Sequence, residues 1–276
     1  TGFMVSDAAL IFGDPTVDAV VETLGGLDPA YSYGMRALEA GKHFITANKA
    51  MVAAHGLELA ALAREKGAAF LFSAACGGGV PFLHNLALSA ETDRIEAVSG
   101  ILNGTTNYML DAMQRRDLTY GDALREAQSL GYAESDPTAD VSGLDALRKM
   151  QLACAVAFGV LPQSGMLCEG MEHFTAADVE DIQSRGLVCR LLARGSRAGE
   201  SVSAYVEPVL FPRAAPESSV FTNNNMARYT GKRCGSIVLM GQGAGRFPTA
   251  SAVLRDLSAA QQGARSMFPE NCHAAE

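Results

Sequence analysis

"GKHFITANKAMVAAHGLELAALAREKGAAFLFSAACGGG" runs from Gly41 to Gly79 and decides the fold. It reads as a strand over 42–50, a helix over 51–67, and a second strand over 68–79 that ends in a glycine turn. Asn48 is a natural N-cap for the helix. Working outward, "DAVVETLGG" (18–26) is a short apolar run that ends in glycines, and "AYSYGMRALEAG" (30–41) has helical spacing with Gly41 as its C-terminal cap. The alternation β-α-β-α-β predicts parallel strands joined by right-handed crossovers, which is half of a doubly wound nucleotide-binding sheet.

Beyond Gly79 the regular alternation stops. "PFLHNLALSA", "TNYMLDAMQRRD", "TYGDALREAQSLG", "SGLDALRKMQLACAVAFG" and "TAADVEDIQSRG" read as helices, and "RIEAVSGILNG", "VCRLLARG", "VSAYVEPVLF" and "GSIVLMG" as strands. "PTASAVLRDLSAAQQGA" reads as a closing helix. The predicted fold is α/β: an incomplete Rossmann-like dinucleotide-binding domain followed by an α+β substrate and dimerisation domain. The predicted boundaries are 1–75, 76–235, and a segment 236–276 that returns to the cofactor domain. No GxGxxG follows a strand near the N-terminus, and "GQGAG" (241–245) is spaced differently. The segment is therefore expected to bind dinucleotide weakly by itself. "VSAYVEPVLF" and "GSIVLMG" alternate only partly, so a sheet face or edge needs covering, which predicts a homodimer or a dimer of dimers.

Composition narrows the function. Hydrophobic residues make up 48% of the 276 and charged residues 19%, as in a globular protein with a sizeable core. The net charge of -8 argues against an extended nucleic-acid interface. No apolar run approaches the roughly 18 residues of a membrane helix. No signal-peptide pattern opens the chain. Six cysteines without a CxxC pair and five scattered histidines argue for buried thiols in a reducing cytoplasm and against structural zinc.

"GYAESDPTADVSGLDALRK" (131–149) concentrates Glu134, Asp136, Asp140, Asp145 and Lys149. Two readings compete. Ser142 and Asp145 fit a capping box, with Lys149 a surface partner at i,i+4. Alternatively, Asp145 and Lys149 share a helical stripe with Leu152 and Val156, so the pair is partly buried. Burial lowers a lysine's pKa towards the range of a proton-transfer catalyst, and the carboxylate orients it. Lys49 follows a strand directly, where open α/β sheets bind ligands, and also suits a plain helix start. "GILNGTTNYML" (100–110) packs a polar cluster between apolar runs, which neither a surface loop nor a strand needs. "CGGGVP" (76–81) and "GQGAGRFPTASAV" (241–253) offer close backbone approach, a feature also common in plain turns.

Together these motifs resemble homoserine dehydrogenases, and the likeness covers roughly residues 15–260. It implies an NAD(P)-dependent oxidoreductase acting on a CH-OH group. The reaction interconverts L-homoserine and L-aspartate 4-semialdehyde in threonine and methionine biosynthesis. By resemblance, Lys149 and Asp145 are catalytic. Glu134, Asp140, Thr105, Tyr132 and Lys49 meet the substrate, and Gly25, Lys49, Gly131 and Gly245 line the cofactor. The carbonyls of Cys76, Gly78 and Val80 resemble a sodium site, although the family usually has a glutamate where this chain has Ser73. Two rival expectations are a non-catalytic, dimeric ligand-binding paralogue and a related amino-acid aldehyde dehydrogenase.

Overall fold

The protein is described by a computed structural model over residues 4–199 and 201–275. Helix α1 (Ala9–Gly13) is followed by β1 (Ala19–Glu22), α2 (Asp28–Glu39), β2 (His43–Thr46), α3 (Lys49–Lys66) and β3 (Phe70–Leu71). The three strands form a parallel sheet in the order β1-β2-β3, as the alternation predicts. Asn48 caps α3 by accepting the Met51 N–H at 3.0 Å, and Gly67 closes it in the left-handed region. In α2, Gly34 lets the helix lie on the sheet, because a Cβ there would come 2.7 Å from the Phe44 ring.

The third strand is shorter than predicted. Pairing stops at Leu71, and Ser73–Ala75 form a single 3-10 turn that swings the chain into the CGGGV segment. On its outer side β3 meets only a returning segment, where Phe70 N–H donates to the Arg265 carbonyl at 2.8 Å. One backbone contact does not extend a ladder.

The next elements are α4 (Phe82–Thr92), β4 (Ile95–Ile101), α5 (Gly104–Arg116), α6 (Tyr120–Ser129), α7 (Thr138–Val141) and α8 (Leu144–Phe158). Then come β5 (Val160–Pro162), β6 (Leu167–Cys168), α9 (Ala176–Ser184), β7 (Leu187–Ala198), β8 (Ser201–Pro212), β9 (Asn224–Gly231) and β10 (Gly235–Gln242). The chain closes with α10 (Arg246–Gln261) and β11 (His273–Ala275). A six-stranded sheet runs in the order β10-β9-β4-β7-β8-β6, antiparallel except at β6–β8. Sequence reading missed β9, "NNMARYTG". Its two leading asparagines resemble a loop, and its central Arg228 hides its charge in an ion pair with buried Glu217 at 2.9 Å.

Helix α8 is the spine that places the site. It packs on β4, β7 and β8 and touches α3 and α4. Its approach is close because Gly195 of β7 has no side chain; a Cβ there would overlap the Cys154 sulfur. Met150, Leu152, Ala153, Cys154, Ala155 and Val156 are all buried, so the charged first turns of α8 are held against a rigid core. Helix α10 packs against β2 and the Ser73–Ala75 turn.

Candidate active site

The chain leaving β4 places the buried Leu102 and Asn103 beside the first turns of α8. Asn103 caps α5 by accepting the Thr106 N–H at 2.8 Å through Oδ1. Its Nδ2 then donates to Asp140 at 2.7 Å and to Asp145 at 2.9 Å. Asp145 sits in the first turn of α8, where the helix dipole favours a carboxylate. Lys149, one turn on, places its Nζ 2.7 Å from Asp145 Oδ2 and donates to the Leu102 carbonyl at 2.7 Å. Lys49, the first residue of α3, reaches Asp145 Oδ1 at 3.1 Å. One carboxylate thus binds two ammonium groups carried by two helices.

The buried-pair reading of Asp145 and Lys149 holds geometrically, with both residues below 10% exposed. The capping box does not form. Gly143, with φ 83°, precedes α8 and leaves the cap without a side-chain bond, and the Ser142 hydroxyl is buried without a partner. The helix turn is reserved for Asp145 to face inward. The expectation that burial lowers the Lys149 pKa also fails. Burial does push it down, but the Asp145 charge and hydrogen bond outweigh that and raise it. Burial pushes the Asp145 carboxyl up, yet Lys149 and Lys49 together hold it far below the usual carboxylate range. Asp140 lies beside them and is raised, first by burial and then by the Asp145 charge. The cluster therefore holds an ammonium proton on a buried, pinned lysine. Nearby, burial drives the Cys76 thiol up to about 12, so it stays protonated.

The remaining sequence candidates divide. Asp140 joins the cluster through Asn103. The buried Thr105 spends its hydroxyl proton on the Tyr132 carbonyl at 2.6 Å, and the Tyr132 ring packs edge-on to Tyr108. Glu134 is exposed; only its backbone carbonyl is engaged, by Gln128 at 3.1 Å. Gly131 closes α6 at φ 73° on the surface. Gly25 lies on the exposed turn after β1, with open space around it. Gly245, at φ 120°, opens α10. The loop carrying Gly245 stacks on the CGGGV turn, where Gly79 N–H donates to the Gln242 carbonyl at 3.0 Å.

Sequence reasoning overlooked the residues that hold this frame. Asn103 was visible only as one member of a polar cluster. Buried Glu22 accepts from the Thr46 hydroxyl and from Leu24 N–H, and Thr46 Oγ1 accepts the Asn48 N–H at 2.9 Å. Asn48 Nδ2 donates to the Gly26 carbonyl at 2.6 Å. This chain of bonds ties the Thr23–Gly26 turn to the N-terminus of α3 and so to Lys49. A glutamate at the end of a strand, followed three residues on by a glycine pair, was the available signal.

Comparison with known proteins shows the family. Residues 81–258 match the homoserine dehydrogenase family, and residues 4–73 match the homoserine dehydrogenase NAD-binding domain. Homoserine dehydrogenase of Corynebacterium glutamicum is 40% identical over 260 residues, covering 92% of this chain and 58% of that protein. The chain thus spans a little over half the length of such relatives. The crystal structure of a homoserine dehydrogenase from Thiobacillus denitrificans superposes with a TM-score of 0.90 at 36% identity, over 98% of this chain and 65% of that one. A hyperthermophilic archaeal homoserine dehydrogenase in complex with NADPH gives a TM-score of 0.77 at 28% identity, over 91% of this chain and 72% of the other. The protein described here is a member of the homoserine dehydrogenase family.

Proposed function

We propose that the protein is a homoserine dehydrogenase that interconverts L-homoserine and L-aspartate 4-semialdehyde with NAD(P). The observation that carries this reading is the buried Lys149–Asp145–Lys49 cluster next to the Thr23–Gly26 turn. Bound NAD(P) supplies or accepts the hydride at the substrate's terminal carbon. The protein supplies position and the proton. Lys149 uses one N–H on Asp145 and one on Leu102, which leaves the third for the reacting oxygen. In reduction it donates that proton to the aldehyde oxygen. In oxidation it takes the hydroxyl proton, and for that it must first be neutral. Asp145 orients it and stabilises its charged form. Lys49, one-third exposed, polarises the same oxygen from the cofactor side. Asp140 receives the substrate's amino group, with Glu134 on the exposed segment leading into α7. Gly25, Gly131 and Gly245 line the cofactor, and Thr105 and Tyr132 shape the substrate pocket.

The carbonyls of Cys76, Gly78 and Val80 are the oxygens a sodium ion would take, as the resemblance implies; that of Val80 accepts the Phe82 N–H at 2.7 Å and keeps a second lone pair, and position 73 holds a serine where the family usually has a glutamate. No step runs through a cation.

Residues 1–75 with 236–276 are read as the cofactor side, supported by the packing of α10 on β2, and 76–235 as the substrate side. The face of the six-stranded sheet turned away from α8 carries Val238 and Met240, 41% and 47% exposed. It is assigned to a homodimer contact, and light scattering that gives a monomer at micromolar concentration would reject it. The six free cysteines support a reducing, cytoplasmic setting. A homoserine-dependent NAD(P)H absorbance assay tests the activity; no turnover by the protein in its full natural chain would refute it.

A further inference from the structure

The Leu102 carbonyl is shared. Lys149 Nζ donates to it at 2.7 Å, and from the opposite strand Asn225 Nδ2 donates to it at 2.9 Å. Asn225 is 2% exposed, at the second residue of β9. Its Oδ1 is buried without a partner, yet flipping the amide would set that oxygen against the Leu102 carbonyl, so the observed orientation is the one that bonds. The amide lies against Gly243, where any Cβ would overlap it. Gly243 belongs to the loop that ends at Gly245, and its carbonyl abuts Gly78 so closely that a Cβ on Gly78 would come 2.5 Å from it.

We infer that Asn225 is a positioning residue for Lys149: it fixes the Leu102 carbonyl, and through it the direction of the lysine's free N–H, and it ties that direction to the seating of the 242–245 loop. The inference rests on the reading of Lys149 as the proton-transfer group. Two of the three ammonium N–H directions are set by Asp145 and Leu102, so a displaced Leu102 carbonyl turns the third away from the reacting oxygen. Asn225 itself touches neither substrate nor cofactor in this account. Its loss should therefore slow the chemical step without weakening binding.

The test compares Asn225→Leu, which keeps the branching and removes the donor, with Gly243→Ala, which keeps Asn225 but pushes its amide aside. Each should lower kcat by about tenfold to hundredfold while the homoserine KM stays within about threefold; the NAD(P) KM should also hold in Asn225→Leu, whereas Gly243→Ala also disturbs the loop that carries Gly245. The double variant should be no worse than the poorer single, because both act through one carbonyl. Should Asn225→Leu fail to fold, Gly243→Ala carries the same split. A kcat within about twofold of wild type in the folded variants, or a rise in KM alone, overturns the inference. Lys149→Ala assayed in parallel separates the two levels. If it keeps its turnover, the proton-transfer reading falls and takes this inference with it. If it is inactive while Asn225→Leu turns over normally, only the role of Asn225 is lost.

Discussion

Two buried aspartates show opposite behaviour. Asp145 is 7% exposed and Asp256, in α10, is 0% exposed. Asp145 faces two lysines and an asparagine amide, and its carboxyl is held far below the ordinary range despite burial. Asp256 accepts only the Ser73 N–H at 2.8 Å, its other oxygen has no partner, and burial pushes it up to about 6. Burial alone therefore does not decide the charge of an acid here; the cation count does. The consequences for function differ too. Asp145 can hold a proton donor in place, whereas Asp256 is a cost carried by the packing of α10 against the first sheet.

The comparison breaks most visibly at Asp145. Asp145→Ala strands two ammonium groups, one of them buried. It should cut kcat by at least about a hundredfold. It should also destabilise the fold by about 3–5 kcal/mol, as expected when one partner of a buried ion pair is removed. Steady-state assay and urea unfolding read the two effects separately. Because the folded pKa of Asp145 is depressed, its stabilising contribution is present above pH 3.8 and is lost as the pH falls below that value.

Asp256 has the opposite sign. Its folded pKa of about 6 exceeds the ordinary 3.8, so the protonated form is favoured in the fold and stability is lost as the pH rises between those values. At about 1.4 kcal/mol per decade, the cost at neutral pH is on the order of 3 kcal/mol. Asp256→Asn keeps an acceptor for Ser73 and should raise the melting temperature at pH 7.5. The gain should shrink towards zero near pH 4. Melting curves across that range check both the sign and the window; a gain that does not change with pH would contradict the assignment.

The Lys149 pKa is raised, so homoserine oxidation should climb through the alkaline range while aldehyde reduction stays nearly level around neutrality. Pre-steady-state rates in both directions, taken across pH, measure this. The smallest effect concerns Ser142. A helix cap lost to alanine costs about 1 kcal/mol, whereas removing a buried hydroxyl without a partner is neutral or mildly stabilising. Ser142→Ala should fall in the second class by chemical denaturation.

The elements legible in the sequence are those whose local pattern agrees with their packing. The parallel βαβ unit around α3 reads directly because Asn48, Gly67 and the apolar runs point the same way. The Asp145–Lys149 pair reads from its i,i+4 spacing on an apolar stripe. What the sequence hides is set by contacts far along the chain. Nothing local to "NNMARYTG" shows that Arg228 will be neutralised by Glu217 or that Asn225 will meet the Leu102 carbonyl. The "NGTTN" cluster looks like a ligand-facing turn, yet most of its polar groups serve the fold. Asn107 Nδ2 lies within 3.1 Å of the carbonyls of Val220, Thr222 and Asn224, and Thr105 and Thr106 bond within the same frame. Asn103 alone turns its amide towards the site. Likewise, Ser142 and Asp145 satisfy the spacing of a capping box, but the two lysines compete for Asp145 and win.

The most direct test of the account is kcat for Lys149→Ala, Asp145→Ala and their combination in the full natural chain, with NAD(P)H affinity measured on each. The account predicts that each single loses at least about a hundredfold in kcat, that the double is little worse than either, and that cofactor affinity is nearly unchanged. A Lys149→Ala enzyme that keeps more than about a tenth of wild-type kcat would contradict it. The proton would then have to move through Lys49, the only other ammonium group bound to Asp145 among the described residues.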